Sequence, residues 1–164
     1  MRTSYKWGLI IGGLGFAWFV GEYLFGLHNK YIKLQPVITN FELIIPILCI
    51  GLGLRQVKLK DFNGSITFSE AFKEGLIMSA IAACLSVVGV CIYFKAINPG
   101  WTDFMIETSK QVAKEKGESI AKAADFAKIY FSLNSYIVQS FIGTLGFGGV
   151  ISLIVALVIR NKKS

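Results

Sequence analysis

The sequence predicts an all-α membrane protein with four transmembrane helices, and three observations carry that prediction. Of its 164 residues, 54% are hydrophobic and only 16% are charged, where a soluble domain carries about 25% charged residues. Mean hydropathy is +0.58. Four separate stretches are apolar over the roughly 20 residues a helix needs to cross about 30 Å of hydrocarbon. This composition excludes disorder, a secreted disulfide scaffold and an ordinary cytosolic enzyme. One His and three Cys leave too few ligands for a zinc or di-iron centre unless carboxylates supply nearly everything. No cofactor is expected.

The first span is expected over about 7–27 and holds one acid, Glu22. Arg2 and Lys6 ahead of it mimic a signal peptide. The run is nevertheless too long for a signal h-region, carries Glu22 and lacks a small-x-small cleavage site, so it reads as a retained anchor. The second span, about 36–54, opens at Gln35-Pro36 and contains Glu42 and Pro46. The connection after it contains Asp61-Phe62-Asn63-Gly64, a turn signal. Thr67-Phe68-Ser69-Glu70 follows as a capping box, with Phe68 and Phe72 one helical turn apart. The third span, about 76–94, carries no charge and closes at Asn98-Pro99-Gly100. The fourth, about 136–159, follows Asn134-Ser135 and is also uncharged.

Residues 101–133 form the one sizeable extramembrane unit, expected as an external amphipathic helical segment. Trp101, Phe104, Met105, Thr108 and Val112 keep a helical period, as do Ile120, Ala123, Ala124, Ala127, Tyr130 and Phe131. Gly117 is a plausible stop between two short helices, although a single kinked helix fits the same pattern. The unit reads as a solvated cap tethering spans three and four, or as a platform for a partner or lipid. Trp101, Tyr130, Tyr136, Tyr93 and Tyr31 supply an aromatic belt at that interface.

Orientation follows from Lys and Arg in the loops. Arg2, Lys6, Arg55, Lys58, Lys60, Lys73, Arg160, Lys162 and Lys163 fall on one side. Lys30, Lys33, Lys95, Lys110, Lys114, Lys116, Lys122 and Lys128 fall on the other. The first set occupies shorter segments and includes every Arg, which places both termini in the cytoplasm of a bacterial inner membrane. The net charge of +7 then reflects this bias and attraction to anionic lipid, with no nucleic-acid partner implied.

Small residues recur every four positions inside the spans: Gly13, Ala17 and Gly21 in the first, Gly75, Ser79 and Ala83 in the third. In the fourth, Ser140, Thr144, Gly148, Ser152 and Ala156 form an unbroken ridge. Such rows let helix backbones approach closely in lipid. They serve either packing within one bundle or a homo-oligomer seam. The glycines of Gly143 to Gly149 lack the Lys of a phosphate loop and lie mid-span.

Glu22 and Glu42 are the most informative pair. Counting about 1.5 Å per residue from Trp7 and from Pro36 puts both in the outer part of the bilayer at comparable depth. A carboxylate there costs a few kcal/mol unless paired or hydrated. Lys95, His28, Asn40 and Thr39 are the polar groups expected at that level, with Lys95 the preferred countercharge. His28 otherwise reads as a surface residue of the first outer loop. Glu22 and Glu42 therefore either tie helix ends together or form a proton- or cation-coupling site. Cys49, Cys84 and Cys91 read as small apolar fillers. No Ser/His/Asp or Cys/His set is available around the lone His, so catalysis is not expected.

The chain resembles domain-of-unknown-function family 4199, bacterial four-helix membrane proteins of similar length. The likeness runs over nearly the whole chain. It rests on Gly26-Leu27-His28, on the stretch from Asn63 to Gly75, on Gln139 to Arg160, and on Glu22, Asn40 and Pro46. The resemblance implies an inner-membrane protein with no established reaction. Taken together, the sequence predicts a non-enzymatic membrane protein that assembles with itself, with lipid or with an envelope partner. The alternative is a small transporter or proton/cation pathway using Glu22 and Glu42.

Overall fold

Every hydrophobic run folds as a helix, and the residues that interrupt each run decide where the helices break. The computed structural model describes residues 1–161; Lys162 and Lys163 of the orientation argument, with Ser164, lie outside the described residues. Helix α1 spans Thr3–Leu24, and α2 is a short helix over Gln35–Thr39. A 3₁₀ turn, Asn40–Leu43, joins α2 to α3, Ile44–Lys60. Pro46 explains that turn: it offers no N–H to the Glu42 carbonyl four residues back, and its ring crowds that carbonyl. Helix α4 covers Phe68–Ile92 and runs on through a π turn at Tyr93–Ile97. Helices α5, Trp101–Lys116, and α6, Ile120–Tyr130, precede α7, Leu133–Ile159.

Four helical segments are long and apolar enough to cross a membrane: Thr3–Leu24, Gln35–Lys60, Phe68–Ile97 and Leu133–Ile159. They begin earlier, or run further, than hydropathy alone suggests, and in two of them a side-chain cap stabilises the polar first turn. Thr67 caps α4, accepting from the Glu70 N–H while its own N–H donates to the Glu70 carboxylate at 2.8 Å. Ser132 caps α7, so that helix starts before the expected Asn134-Ser135 break. Asn63 and Gly64 adopt positive φ in the α3–α4 turn. Gly117, at φ 69°, ends α5 in the left-handed conformation that glycine accepts without Cβ strain. Residues 101–133 are thus a helical hairpin rather than one kinked helix.

The long helices form a bundle in the cyclic order α1, α4, α7, α3. Large apolar side chains face outward on all four; Leu14, Leu48, Val88, Ile142 and Val158 are each exposed. An outward apolar surface of this extent suits lipid and not water. The start of α1, the end of α7 and the α3–α4 turn share one end, where Thr3 donates to Asp61 and Ile66 N–H donates to Asn161. This is called the terminal end, and the opposite end, under α5 and α6, the hairpin end.

Interlocking small residues set the closest helix pair. A Cβ on Gly75 would stand 2.5 Å from the Ser152 Cβ, and one on Gly148 would stand 2.7 Å from the Ser79 Cβ. The α4 row therefore fits the α7 ridge, with Gly148, Ser152 and Ala156 buried between them. Ser140 and Thr144, nearer the hairpin end, are only half-buried. The ridge serves packing within the chain. Gly13, Ala17 and Gly21 do not: Gly13 and Ala17 are exposed, and a Cβ on Gly13 or Gly21 meets nothing within 4 Å. Gly8 and Gly12, one residue out of register with that row, make the close approach of α1 to Ile81 and Leu85 of α4.

Candidate functional site

At the terminal end the bundle is sealed. Ile50, Leu54, Val57 and Met78 have no exposed surface, and α7 packs against them through Ile151, Val155 and Ala156. One carboxylate is buried in this region, Glu74, at 1% exposure. Arg2 pairs with it from the chain's second residue, and the Ser4 hydroxyl donates to its other oxygen at 2.6 Å. Ala71 and Met78, one turn to either side on α4, are fully buried. Glu74 therefore sits on the inward stripe of its helix. Its spacing to Ala71 and Met78 is the sequence signal for that placement.

At the hairpin end the loop after α1 folds back over the bundle. Gly26, at φ 78°, turns the chain so that His28 points inward, and His28 is 2% exposed. This corrects the expectation of a surface histidine. Glu22 is buried beside it. Three routes of donors converge on the Glu22 carboxylate. Trp18 Nε1 donates to Oε1 at 2.8 Å. The Thr39 hydroxyl donates to the same oxygen at 2.7 Å, and Gln35 Nε2 donates in turn to Thr39. His28 Nε2 lies 3.2 Å from Oε2.

The far side of His28 fixes its tautomer. Asn98 Nδ2 donates to the Tyr93 oxygen at 2.9 Å, so the Tyr93 hydroxyl sends its own hydrogen to His28 Nδ1, 2.6 Å away. Nδ1 is then the acceptor and Nε2 carries the hydrogen that points to Glu22. A protonated ring would leave the Tyr93 hydrogen without an acceptor among the described residues. Glu22 is thus held by neutral donors and saturated by them. The π turn makes this possible, since its wider winding sets the fully buried Tyr93 against His28.

Lys95 stands outside the cluster. Tyr93 and Phe94 occupy the inward face, and Lys95, two residues on from Tyr93 in the same turn, is exposed. It pairs with neither Glu22 nor Glu42, whose expected countercharge it was. Asn40 is also outside the network; it is exposed and donates to the Pro36 carbonyl at 2.7 Å. Nor do all five aromatics form an interfacial belt. Tyr93 and Trp101 are buried in a cluster with Phe19, His28 and Phe94, while Tyr31 and Tyr130 stay exposed.

Glu42 differs from both other acids. It stands one turn beyond Thr39, half-buried, and accepts no hydrogen bond from any described residue. Its Oε1 lies against α1 at Gly15, where a Cβ would be only 3.2 Å away. The carboxyl lines a cavity of about 560 Å³. Ile11, Phe16, Ile45, Pro46 and Phe147 supply apolar wall; Gln35, Ser86, Gln139, Ser140 and Thr144 supply polar wall. No Lys or Arg lines it. Trp101 is also a wall residue, and its buried Nε1–H makes no hydrogen bond, although Tyr136 packs edge-on beside it. A cleft of this size is within the range that holds a small ligand or a lipid headgroup.

The family model described as "Protein of unknown function (DUF4199)" matches residues 6–161. The chain belongs to the DUF4199 family. That match covers the four long helices, the hairpin between α4 and α7, and every acid discussed above. Neither the curated proteins nor the solved structures contain a match.

Proposed function

We propose that this DUF4199 protein is a non-enzymatic, multi-pass membrane protein that works by binding a ligand in its hairpin-end cleft. The observation that carries the reading is Glu42, a carboxyl on a cavity wall with no hydrogen-bond or ion-pair partner among the described residues. An unpaired carboxylate at membrane depth is a functional candidate by default. Glu22 has the opposite character, because its hydrogen bonds are already filled. Binding is favoured over catalysis because both ring nitrogens of His28 are engaged within the fold, which leaves the lone histidine no free nitrogen for a substrate. Binding is favoured over a continuous ion pathway because Ile50, Leu54, Val57 and Met78 close the terminal half. The ridge on α7 is occupied by α4, which speaks for a cleft-based role over self-assembly through that face.

The density of Lys and Arg at the terminal end, including all three Arg, supports cytoplasmic termini in a bacterial inner membrane, with the cleft reached from the outer leaflet. A reporter active only outside the cytoplasm, fused after Ser164, should stay silent; activity there would reverse the orientation. The binding reading is tested by native mass spectrometry of protein extracted from its own membranes. A Cβ on Gly143 meets nothing within 4 Å, and Gly143 lines the cleft, so Gly143→Trp places an indole at the cleft wall from a position with room for its Cβ. Wild type should carry a bound molecule that Gly143→Trp lacks. Identical adduct-free spectra from both would refute the reading.

A further inference from the structure

Resting on that reading, we infer that the cleft takes the headgroup of a primary-ammonium phospholipid, with the ammonium on Glu42 and a headgroup oxygen on Trp101 Nε1–H. Three independent features of the cavity point to this class. Charge comes first. Glu42 brings a carboxylate to a wall that contains no Lys or Arg, and its neighbour Glu22 is held by neutral groups under the tautomer fixed by Asn98 and Tyr93. The cleft wall thus presents one carboxyl, Glu42, with no Lys or Arg beside it among the described residues, and a bound primary ammonium gives it the partner it lacks.

Hydrogen bonding comes second. Trp101 is 2% exposed, and its Nε1–H lies beside the Tyr136 hydroxyl without a well-formed hydrogen bond to any described residue. Leaving such a donor unpaired costs about 1–3 kcal/mol. A ligand carrying only an ammonium offers that donor nothing, whereas a phosphate or ester oxygen satisfies it. The two complementary needs, one for a donor cation and one for an acceptor oxygen, sit on the walls of a single cavity.

Access comes third. Helices α3 and α7 pack together through Leu54, Val57, Val155 and Ile159 in the terminal half. Their hairpin-end halves, from Leu43 to Pro46 and from Gln139 to Phe147, instead line the cavity. Both halves also present bare apolar side chains outward, among them Ile44, Ile47, Val138 and Ile142. An acyl chain lying along this apolar surface continues from a headgroup seated in the cleft. A free polar amine would leave the apolar walls at Ile11, Phe16, Ile45 and Phe147 unused.

The test uses the full-length protein in detergent micelles, titrated with phosphatidylethanolamine, phosphatidylglycerol or soluble ethanolamine and followed by thermal melting and native mass spectrometry. Phosphatidylethanolamine is expected to bind and raise the melting temperature, at least tenfold more tightly than phosphatidylglycerol. Glu42→Gln should lose about tenfold in phosphatidylethanolamine affinity, equivalent to about 1.4 kcal/mol, with phosphatidylglycerol unaffected, whereas Trp101→Phe should weaken both lipids several-fold, since both carry the oxygen it contacts. Equal binding of the two lipids, or unchanged affinity in Glu42→Gln, overturns the ammonium assignment. Soluble ethanolamine binding as tightly as the lipid overturns the lipid assignment. Headgroup-blind lipid binding that Gly143→Trp abolishes leaves the cleft in place and removes only this inference. Absence of any binding, with Gly143→Trp no different from wild type, removes the cleft reading as well.

Discussion

The two ends of the bundle solve the same problem, a carboxylate buried among apolar helices, in opposite ways. Glu74 at the terminal end is neutralised by the Arg2 guanidinium and a single hydroxyl. Above it the core closes without a gap. Glu22 at the hairpin end has no Lys or Arg partner among the described residues; indole, hydroxyl and imidazole groups surround it, the hydroxyl and the imidazole each held by a further group. Beside it lies a cleft with a second acid, Glu42, left free. An ion pair fixes helix ends with one contact, whereas a net of neutral dipoles holds a charge while leaving the region's overall charge negative. The first arrangement makes a closed end, the second a receptive one.

Mutations separate these arrangements, the largest effect first. Arg2→Ala leaves Glu74 buried with only Ser4, and orphaning a buried charge costs about 3–5 kcal/mol. Water around Arg2, whose side chain is 47% exposed, reduces that to about 2–3 kcal/mol. Glu74→Gln should cost less, because Arg2 turns to solvent. A melting curve that ranks Glu74→Gln below Arg2→Ala would break the ion-pair account of this end.

Gly148→Leu comes next. It drives a side chain into Ser79, and overpacking of this kind costs about 1–3 kcal/mol. Gly13→Leu places the same bulk where nothing lies within 4 Å and should leave stability within about 0.5 kcal/mol. Similar losses for both would mean that the outward row of α1 is covered after all.

Tyr93→Phe tests the hairpin-end network. It strands His28 Nδ1 and Asn98 Nδ2 without their shared partner, at about 1–3 kcal/mol. It also frees the tautomer of His28, so imidazole nitrogen shifts in NMR should move from the single Nε2–H form towards a mixture. Wild-type shifts in the variant would show that Asn98 and Tyr93 do not set the tautomer.

The sequence carried the features that local pattern encodes. Runs of apolar residues, the Thr67/Glu70 box and Gly117 each act within a turn or two of chain, and each appears where spacing put it. Glu22 was legible as a buried acid because no neutral reading of a carboxylate within α1 exists. What its partner would be was not legible. Lys95 had the charge and the depth, but Tyr93 and Phe94 take the inward face and Lys95 falls away from them, exposed; which face of that turn packs inward is set by the bundle and not by the residue types. His28 followed a Gly26 turn whose direction depends on the bundle it folds over. The row Gly13, Ala17 and Gly21 has the same period as Gly8 and Gly12, and only contact with α4 chooses between the faces. Arg2 and Glu74 lie on segments remote in sequence, joined only when α1 and α4 pack side by side.

The most direct test of the contrast between the two ends is the melting of Glu42→Gln, with and without phosphatidylethanolamine, beside wild type. Glu42 accepts no hydrogen bond from any described residue, so without lipid the variant should match wild type within about 0.5 kcal/mol. With lipid, wild type should gain stability and the variant should gain far less. A lipid-free loss comparable to that of Arg2→Ala, with the lipid response intact, would make Glu42 a structural acid like Glu74 and contradict the account.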